Sequence, residues 1–401
     1  MSRSESVPEA AMSNGKSGQT TVDRLKEFLR QDPENWNLRA DLFDAALAAG
    51  DVAAATEQVE RARTARPDDP AWSHREATLL LATRRYPEAQ VVLEHLIAAG
   101  NDHPAVRHNL AYALFAEGRL EDAAAAVEPL LGLAEESGGL AWVLWLRAQH
   151  RLHRADQALA RLGDEAAQRP MAPEAWGVAS LMAIDENRLP DAAAWSERAL
   201  RGRPDQLEAL VARGTVALAH QDPKGALGLF ERALRLHPTD GRTWSGVALA
   251  RMLAMDLPGA LDAFQKAVAT MPDHVGTWIA YGWGRLMGND VAGARAAFEE
   301  AVRLDRNFGE SHGALAVALA RQGDTARARA EIDVALRLDR LGLSARYAEA
   351  VLSGEVKDAE AFARLARRVL GQVPAPEGGA GGTLADIVFG ARRSRDAASK
   401  P

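Results

Sequence analysis

The sequence predicts an all-α solenoid of stacked antiparallel helix pairs, and three observations carry that prediction. Alanines recur at Ala55, Ala89, Ala123, Ala158, Ala192, Ala226, Ala260, Ala294 and Ala328, every 34 residues with a single step of 35. Other columns keep the same phase. Ala62, Ala199, Ala233, Ala267, Ala301 and Ala335 lie seven residues on, Phe230, Phe264, Phe298 and Ile332 four on, and Pro67, Pro170, Pro204, Pro238 and Pro272 twelve on. Small residues stand twelve before the alanine, at Ala77, Ala111, Ser180, Gly214, Ala248, Gly282 and Ala316, and Trp142, Trp176, Trp244 and Trp278 stand sixteen before it. Third, each period holds two stretches with apolar residues at helical spacing, as in Trp244, Val247, Ala248 and then Leu257, Ala260, Leu261, Phe264, Ala267, and no convincing strand.

The elements follow in order. Met1 to Thr20 is small and polar, is expected to be disordered, and has no apolar core of a secretory signal. From Thr21 to Arg30, Val22, Leu25, Phe28 and Leu29 share one helical face and Gln31-Asp32-Pro33 ends it, which predicts a capping helix. Nine hairpins follow. Proline at the last column ends the second helix because it lacks an N–H and clashes with the preceding turn. Gly118 and Gly323, or the pairs Gln221-Asp222 and Asn289-Asp290, turn the chain inside a hairpin. Trp36 and Trp72 stand out of phase with the aromatic column, and Leu131 to Gly139 carries the one extra residue, read as a longer loop bending the array. The expected organisation is therefore a lobe over 21–137 with the cap and repeats one to three, a lobe over 138–340 with repeats four to nine, and capping helices over 341–371. In the last of these, Phe362, Leu365, Ala366 and Val369 would close the final repeat.

Beyond Gly371 a Pro- and Gly-rich stretch cannot form a core, so 372–401 reads as a flexible tail. It carries Leu384, Ile387, Val388 and Phe389 followed by Arg392 and Arg393, a composition that suits a docking peptide and equally describes a frayed end.

Composition excludes much chemistry. The 401 residues include no Cys, which removes disulfides, thiolate metal sites and cysteine nucleophiles. A net charge of −7 gives no field to attract nucleic acid or anionic membranes, and no apolar run is long enough to span a bilayer, so a cytoplasmic protein is expected. No phosphate-binding glycine loop or H-E-x-x-H motif occurs, and no stretch outside the repeats is long enough for an enzyme domain. His150 and His153 lie one turn apart near Asp156 but lack a third placed ligand, and Glu299-Glu300 diverge as neighbours on a helix. No enzyme, metal or cofactor is therefore expected.

The columns from roughly Arg30 to Arg340 resemble the tetratricopeptide repeat family, whose 34-residue unit runs aromatic, aliphatic, small, then Ala, Phe, Ala and Pro. The resemblance implies a right-handed superhelix whose concave surface, lined by the first helix of each hairpin, holds a peptide or partner helix. With the aromatic column as position four, positions two, five, nine, twelve and thirteen face inward. In the fifth to ninth repeats these include Thr215, Leu249, Met252, Leu253, Ile279, Trp283, Leu286 and Met287, rimmed by Glu174, Glu208, Arg242, Glu310 and Arg321. The Lys and Asn pattern of the family's carboxylate clamps is missing. Trp283 is the expected anchor, since Trp concentrates binding energy and Met adapts to varied partners. An aromatic at this spacing also packs as core. The expected function is a scaffold that binds a protein partner through this groove, or else an accessory subunit that contacts a separate enzyme through its tail; groove and tail also leave self-association open.

Overall fold

The structure, a computed structural model, describes residues 9–356 except 134 and 169, and side chains outside 9–18, 135–138 and 168. Its described residues form helices and turns. The first helix, α1 (Glu9–Gln31), precedes nine hairpins. These are α2 (Trp36–Ala49) with α3 (Val52–Ala65), α4 (Pro70–Ala82) with α5 (Tyr86–Ala98), α6 (Pro104–Ala116) with α7 (Leu120–Val127), and α8 (Glu135–Arg151) with α9 (Ala155–Gln168). There follow α10 (Pro173–Asp185) with α11 (Leu189–Gly202), α12 (Leu207–Ala219) with α13 (Pro223–Leu236), α14 (Gly241–Leu253) with α15 (Leu257–Thr270), α16 (Val275–Met287) with α17 (Val291–Leu304), and α18 (Gly309–Arg321) with α19 (Thr325–Leu338). A last helix, α20 (Leu343–Leu352), packs on α18 and α19. The second closing helix expected at 356–370 lies outside the described residues.

Contacts divide the chain into two units, one ending at Ala175 and one beginning at Trp176. The sequence reading divides the lobes one hairpin earlier, at 137/138. Across that point the hairpins stay joined: the Trp142 indole donates to Leu131 O at 3.1 Å, and Arg161 pairs with Glu128 at 2.7 Å. The loop expected over Leu131–Gly139 is also shorter, because α7 gives way to a 3₁₀ turn at Glu128–Leu130 and α8 begins at Glu135. At the amino end α1 starts at Glu9, inside the stretch read as disordered. Adding a residue to a helix already anchored through Val22 is far easier than nucleating one.

The columns are the core. All nine phase-setting alanines are buried, and Phe230, Phe264 and Phe298 are fully so. Each phenylalanine fills the gap left by the small residue opposite: a Cβ added at Gly214 would sit 2.5 Å from the Phe230 ring, and one at Gly282 would sit 2.3 Å from the Phe298 ring. Where the small column instead carries Phe43, the facing position in α3 is Val59, and both are buried. In these pairs a large side chain on one helix answers a small one on the other, as close packing requires.

Two further columns emerge. A residue with positive φ stands at 50, 84, 118, 153, 187, 221, 255, 289 and 323, five places before each alanine. Only Gly50, Gly118 and Gly323 are glycine; Met255, for example, has φ 63°. Each ends a first helix with the paired bonds of a Schellman motif, such as Met255 N to Met252 O and Asp256 N to Arg251 O, 3.0 and 2.9 Å. The next residue caps the second helix. Asp51, Asp222, Asp256, Asp290 and Asp324 accept from a backbone N–H three residues on, whereas Arg85, Arg119 and Arg188 make no such cap and pair with Glu88, Asp122 and Asp191.

The second column explains the tryptophans. The Trp244 and Trp278 indoles donate to Pro238 O and Pro272 O, six residues upstream, at 2.8 and 2.7 Å. Arg39 makes the equivalent bond to Pro33 O, His312 to Arg306 O, and Arg346 to Arg340 O. In these repeats position four supplies an N–H donor to a carbonyl at the junction between hairpins, whereas Trp142 donates further upstream, to Leu131 O, and the buried Trp176 indole N–H has no partner. Trp36 and Trp72 stand outside that column and stack edge to face on each other, centroids 5.8 Å apart.

Candidate functional site

In the second unit the first helices present positions nine, twelve and thirteen along one face, and the structure sorts the expected residues by exposure. Leu249 and Leu253 on α14 are 40% and 38% exposed, and Met287 on α16 is 55% exposed. Met252 lies half-buried against the core. Ile279 and Leu286 are buried, at 8% and 7%, so nearly all of their surface faces other helices. Trp283 is partly buried. Its ring packs on Phe298 at 5.7 Å and on Tyr347 of α20 at 6.1 Å, tying α16 to the last helix.

The polar members of the set are engaged. Arg242 forms a two-pronged ion pair with Asp185, 3.2 and 2.5 Å, joining α14 to α10 past the intervening α12. His274 caps α16 by accepting the Thr277 N–H at Nδ1, 3.1 Å, and meets the Thr277 hydroxyl at 2.8 Å. Burial first, then the Arg242 charge, pushes its pKa below the usual imidazole value, with Asp185 opposing, so the ring stays neutral and able to accept. Glu208 accepts from the Gln206 side chain at 2.6 Å, and the Thr215 hydroxyl donates to Val211 O at 2.9 Å. Glu310 lies against the Ser344 hydroxyl, and burial raises its pKa. Arg321 donates to Asn289 at 3.3 Å. The result is an apolar strip on α14 and α16 beside a fixed ion pair.

The first unit holds a feature the sequence reading did not assign. Between α2 and α4 lies a cavity of about 520 Å³ lined by Phe43, Asp44, Leu47, Ala48, Ala71, His74, Arg75 and Thr78. Phe43 is buried at its floor. Arg75 lies over the Trp72 ring and pairs with Asp44 at 3.3 Å, while its Nε is buried without an acceptor. His74 contacts Asn109 at 3.2 Å, and burial followed by the Arg75 charge holds it neutral by lowering its pKa. Six of these residues, Asp44, Leu47, Ala48, Ala71, His74 and Thr78, occupy the same inward positions that were counted only in repeats five to nine. Counting from Trp36 and Pro70 as first positions would have found them.

No group of three or more His, Asp or Glu able to hold a metal occurs among the described residues. His150 lies in the last turn of α8, and His153 is the positive-φ residue after it. None of the described helices is long and apolar enough to cross a membrane. The tail residues Leu384, Ile387, Val388, Phe389, Arg392 and Arg393 lie outside the described residues.

Models of the tetratricopeptide repeat match residues 17–76, 80–142, 144–206, 211–274 and 282–342. The chain belongs to the tetratricopeptide repeat family. Repeat proteins of this kind stack hairpins so that each contacts its neighbours, and the family is one of protein-interaction modules. None of the curated proteins matches the chain. Among solved structures, the crystal structure of MamA is 17% identical and covers 39% of this chain and 92% of its own, with a TM-score of 0.35. YrrB, described as a tetratricopeptide repeat protein with an unusual peptide-binding site, is 18% identical, covers 48% and 97%, and scores 0.36. A tetratricopeptide repeat protein from Parabacteroides merdae is 15% identical, covers 61% and 94%, and scores 0.44.

Proposed function

We propose that the chain is a non-enzymatic scaffold that holds a protein partner, as a peptide or a helix, across the first-helix face of its second unit and so supports assembly of a multiprotein complex. The observation that carries this reading is the exposed run of Leu249, Leu253 and Met287, the last two at the position where the other first helices of the unit carry Asp185, Ala219 and Arg321. Large apolar side chains at helical spacing on two adjacent helices make a surface that water hydrates poorly and that a partner's apolar face can cover. The Arg242–Asp185 pair fixes α10 against α14, so the surface is set before binding and less ordering entropy is lost.

The test uses the full chain carrying Leu253→Glu or Met287→Glu, with Leu236→Glu as reference because Leu236 is equally exposed but sits on a second helix. Helicity is checked by circular dichroism, and partners captured from lysate are then titrated as purified proteins. The two face variants should weaken binding at least about 10-fold, as expected for lost hot-spot contacts, while the reference binds normally. Unchanged affinity in both face variants sinks the reading. Trp283→Ala is a poorer probe, because it also removes the contacts with Phe298 and Tyr347.

A further inference from the structure

The apolar strip on α14 and α16 has a feature that a loop surface lacks. Leu249 and Leu253 are four residues apart on one helix, Met287 continues the strip on the next, and Met255, 79% exposed, extends it at the turn. A strip of this form accepts a short helix whose anchors are spaced i, i+3, i+4. The chain contains such a segment outside the described residues. Leu384, Ile387 and Val388 have that spacing, with Phe389 beside them.

Chain length permits the encounter. The described chain ends at Val356, just past α20. From α20, α16 and α14 are two and three first-helix places away, roughly 20–30 Å at a helix spacing of 8–10 Å. Residues 357–383 separate Val356 from Leu384; the Gly- and Pro-rich part, 371–383, has the r.m.s. span of a flexible coil, about 20 Å, and 357–370, which the sequence reads as a closing helix, would add up to about 20 Å. A tether matched to its target in this way sustains an effective concentration on the order of millimolar.

We propose that residues 384–389 dock on the chain's own α14–α16 face, with Ile387, Val388 and Phe389 against Leu249, Leu253 and Met287, so that a partner reaches the scaffold only by displacing the tail. The proposal rests on the reading of that face as a docking surface and adds its resident occupant. Other exposed apolar residues of this unit, Leu236, Phe308, Leu338, Leu341 and Leu343, sit in or beside the junctions between hairpins and give no strip along a first helix.

Because the chain has no Cys, engineered pairs report contact without background. Full-length monomer carrying Met287→Cys and Val388→Cys is compared under mild oxidation with Leu341→Cys and Val388→Cys, which tests the junction edge. The first pair should close within the monomer at least about 10-fold faster, since closure follows local thiol encounter. Adding Leu384→Ser and Phe389→Ser should remove that advantage. Equal or faster closure at position 341, closure indifferent to the serine changes, or disulfide forming only between chains in proportion to concentration would each overturn the proposal, the last by making a second copy the occupant. Partner binding that is lost in Leu253→Glu while position 287 closes no faster than 341 defeats the tail alone. If neither responds, the face itself is not a docking surface.

Discussion

Replacing Gly282 and Gly228 by alanine should move stability in opposite directions. Both glycines lie inside helices, α16 and α13, where alanine is the better helix former by about 0.8–1 kcal/mol. At Gly228 nothing stands within 4 Å of the new Cβ, so the propensity gain is expressed and Gly228→Ala should stabilise by up to about 1 kcal/mol. At Gly282 the new Cβ would sit 2.3, 2.6 and 2.8 Å from three atoms of the Phe298 ring. Carbon atoms prefer about 3.5–4.0 Å, so α16 and α17 must part by over roughly an ångström. Phe298 is fully buried and cannot swing into solvent. Overpacking of this kind costs typically 1–3 kcal/mol, which offsets the propensity gain and leaves a net loss of up to about 2 kcal/mol. Urea unfolding followed by helical circular dichroism reads both variants, with midpoints compared directly because a repeat array need not unfold in one step. If Gly282→Ala raises the midpoint as Gly228→Ala does, the helices do not approach as closely as described, and the volume-matching account of the columns fails.

Other consequences can be measured in the same way. Met255→Gly removes a positive-φ penalty of about 1–2 kcal/mol at a side chain that packs on little, less about 0.5–1 kcal/mol of glycine entropy, so urea midpoints should rise by an amount equivalent to roughly 0.5–1 kcal/mol. Trp278→Phe deletes the indole bond to Pro272 O and should destabilise by about 1 kcal/mol, whereas the same change at Trp36, which lies outside the donor column, loses no such bond; a matched loss in both would argue against a bonding role. His74, His108 and His274 all have pKa values lowered chiefly by burial, so the unfolded chain binds protons first as pH falls below about 6.5, and stability should decrease through that window toward the lower native values. His274→Asn keeps a capping acceptor but does not titrate, and pH-dependent melting of this variant should show a shallower decline than the parent chain.

The alanine, phenylalanine and proline columns were legible because each answers to a constraint visible within one repeat: closeness of two helices, a gap to fill, an end to a helix. Arg66, Arg203, His237 and Met271, the residues before the terminal prolines, all leave the helical region for φ between −144° and −128° with positive ψ, as a following proline demands. Arg84, His153 and Met255 hid the turn column because none is a turn former; the Schellman bonds hold them at positive φ, whereas Gly50, Gly118, Asn187, Asn289 and Gly323 are residue types that adopt it readily. The tryptophan column was visible as aromaticity, but at Trp244 and Trp278 its chemistry is donation, which Arg39 and His312 also supply and Trp176 does not. Exposure on the candidate face was the least legible. Ile279, Leu286, Leu249 and Met287 share an apolar character and a register, and what separates them is how far each neighbouring hairpin overlaps, a tertiary quantity.

The single 35-residue step has a meaning for how such chains lengthen and shorten. Within each of the nine hairpins the positive-φ turn stands five residues before its alanine, in the long repeat as in the others, so the extra residue is taken up where one hairpin hands over to the next, by the 3₁₀ turn around Pro129. Turns inside a hairpin are clamped from both sides by Schellman bonds and a helix cap or ion pair, and an inserted residue there would throw the facing columns out of phase. The handover between α7 and α8 is held instead by the 3₁₀ turn and by the Trp142 bond to Leu131 O, and the extra residue leaves the facing columns in phase. The site for grafting a loop, a label or a cleavage sequence into this protein is therefore the stretch near Leu133, where the chain already carries one residue more than the other repeats and the register of the following repeats is intact.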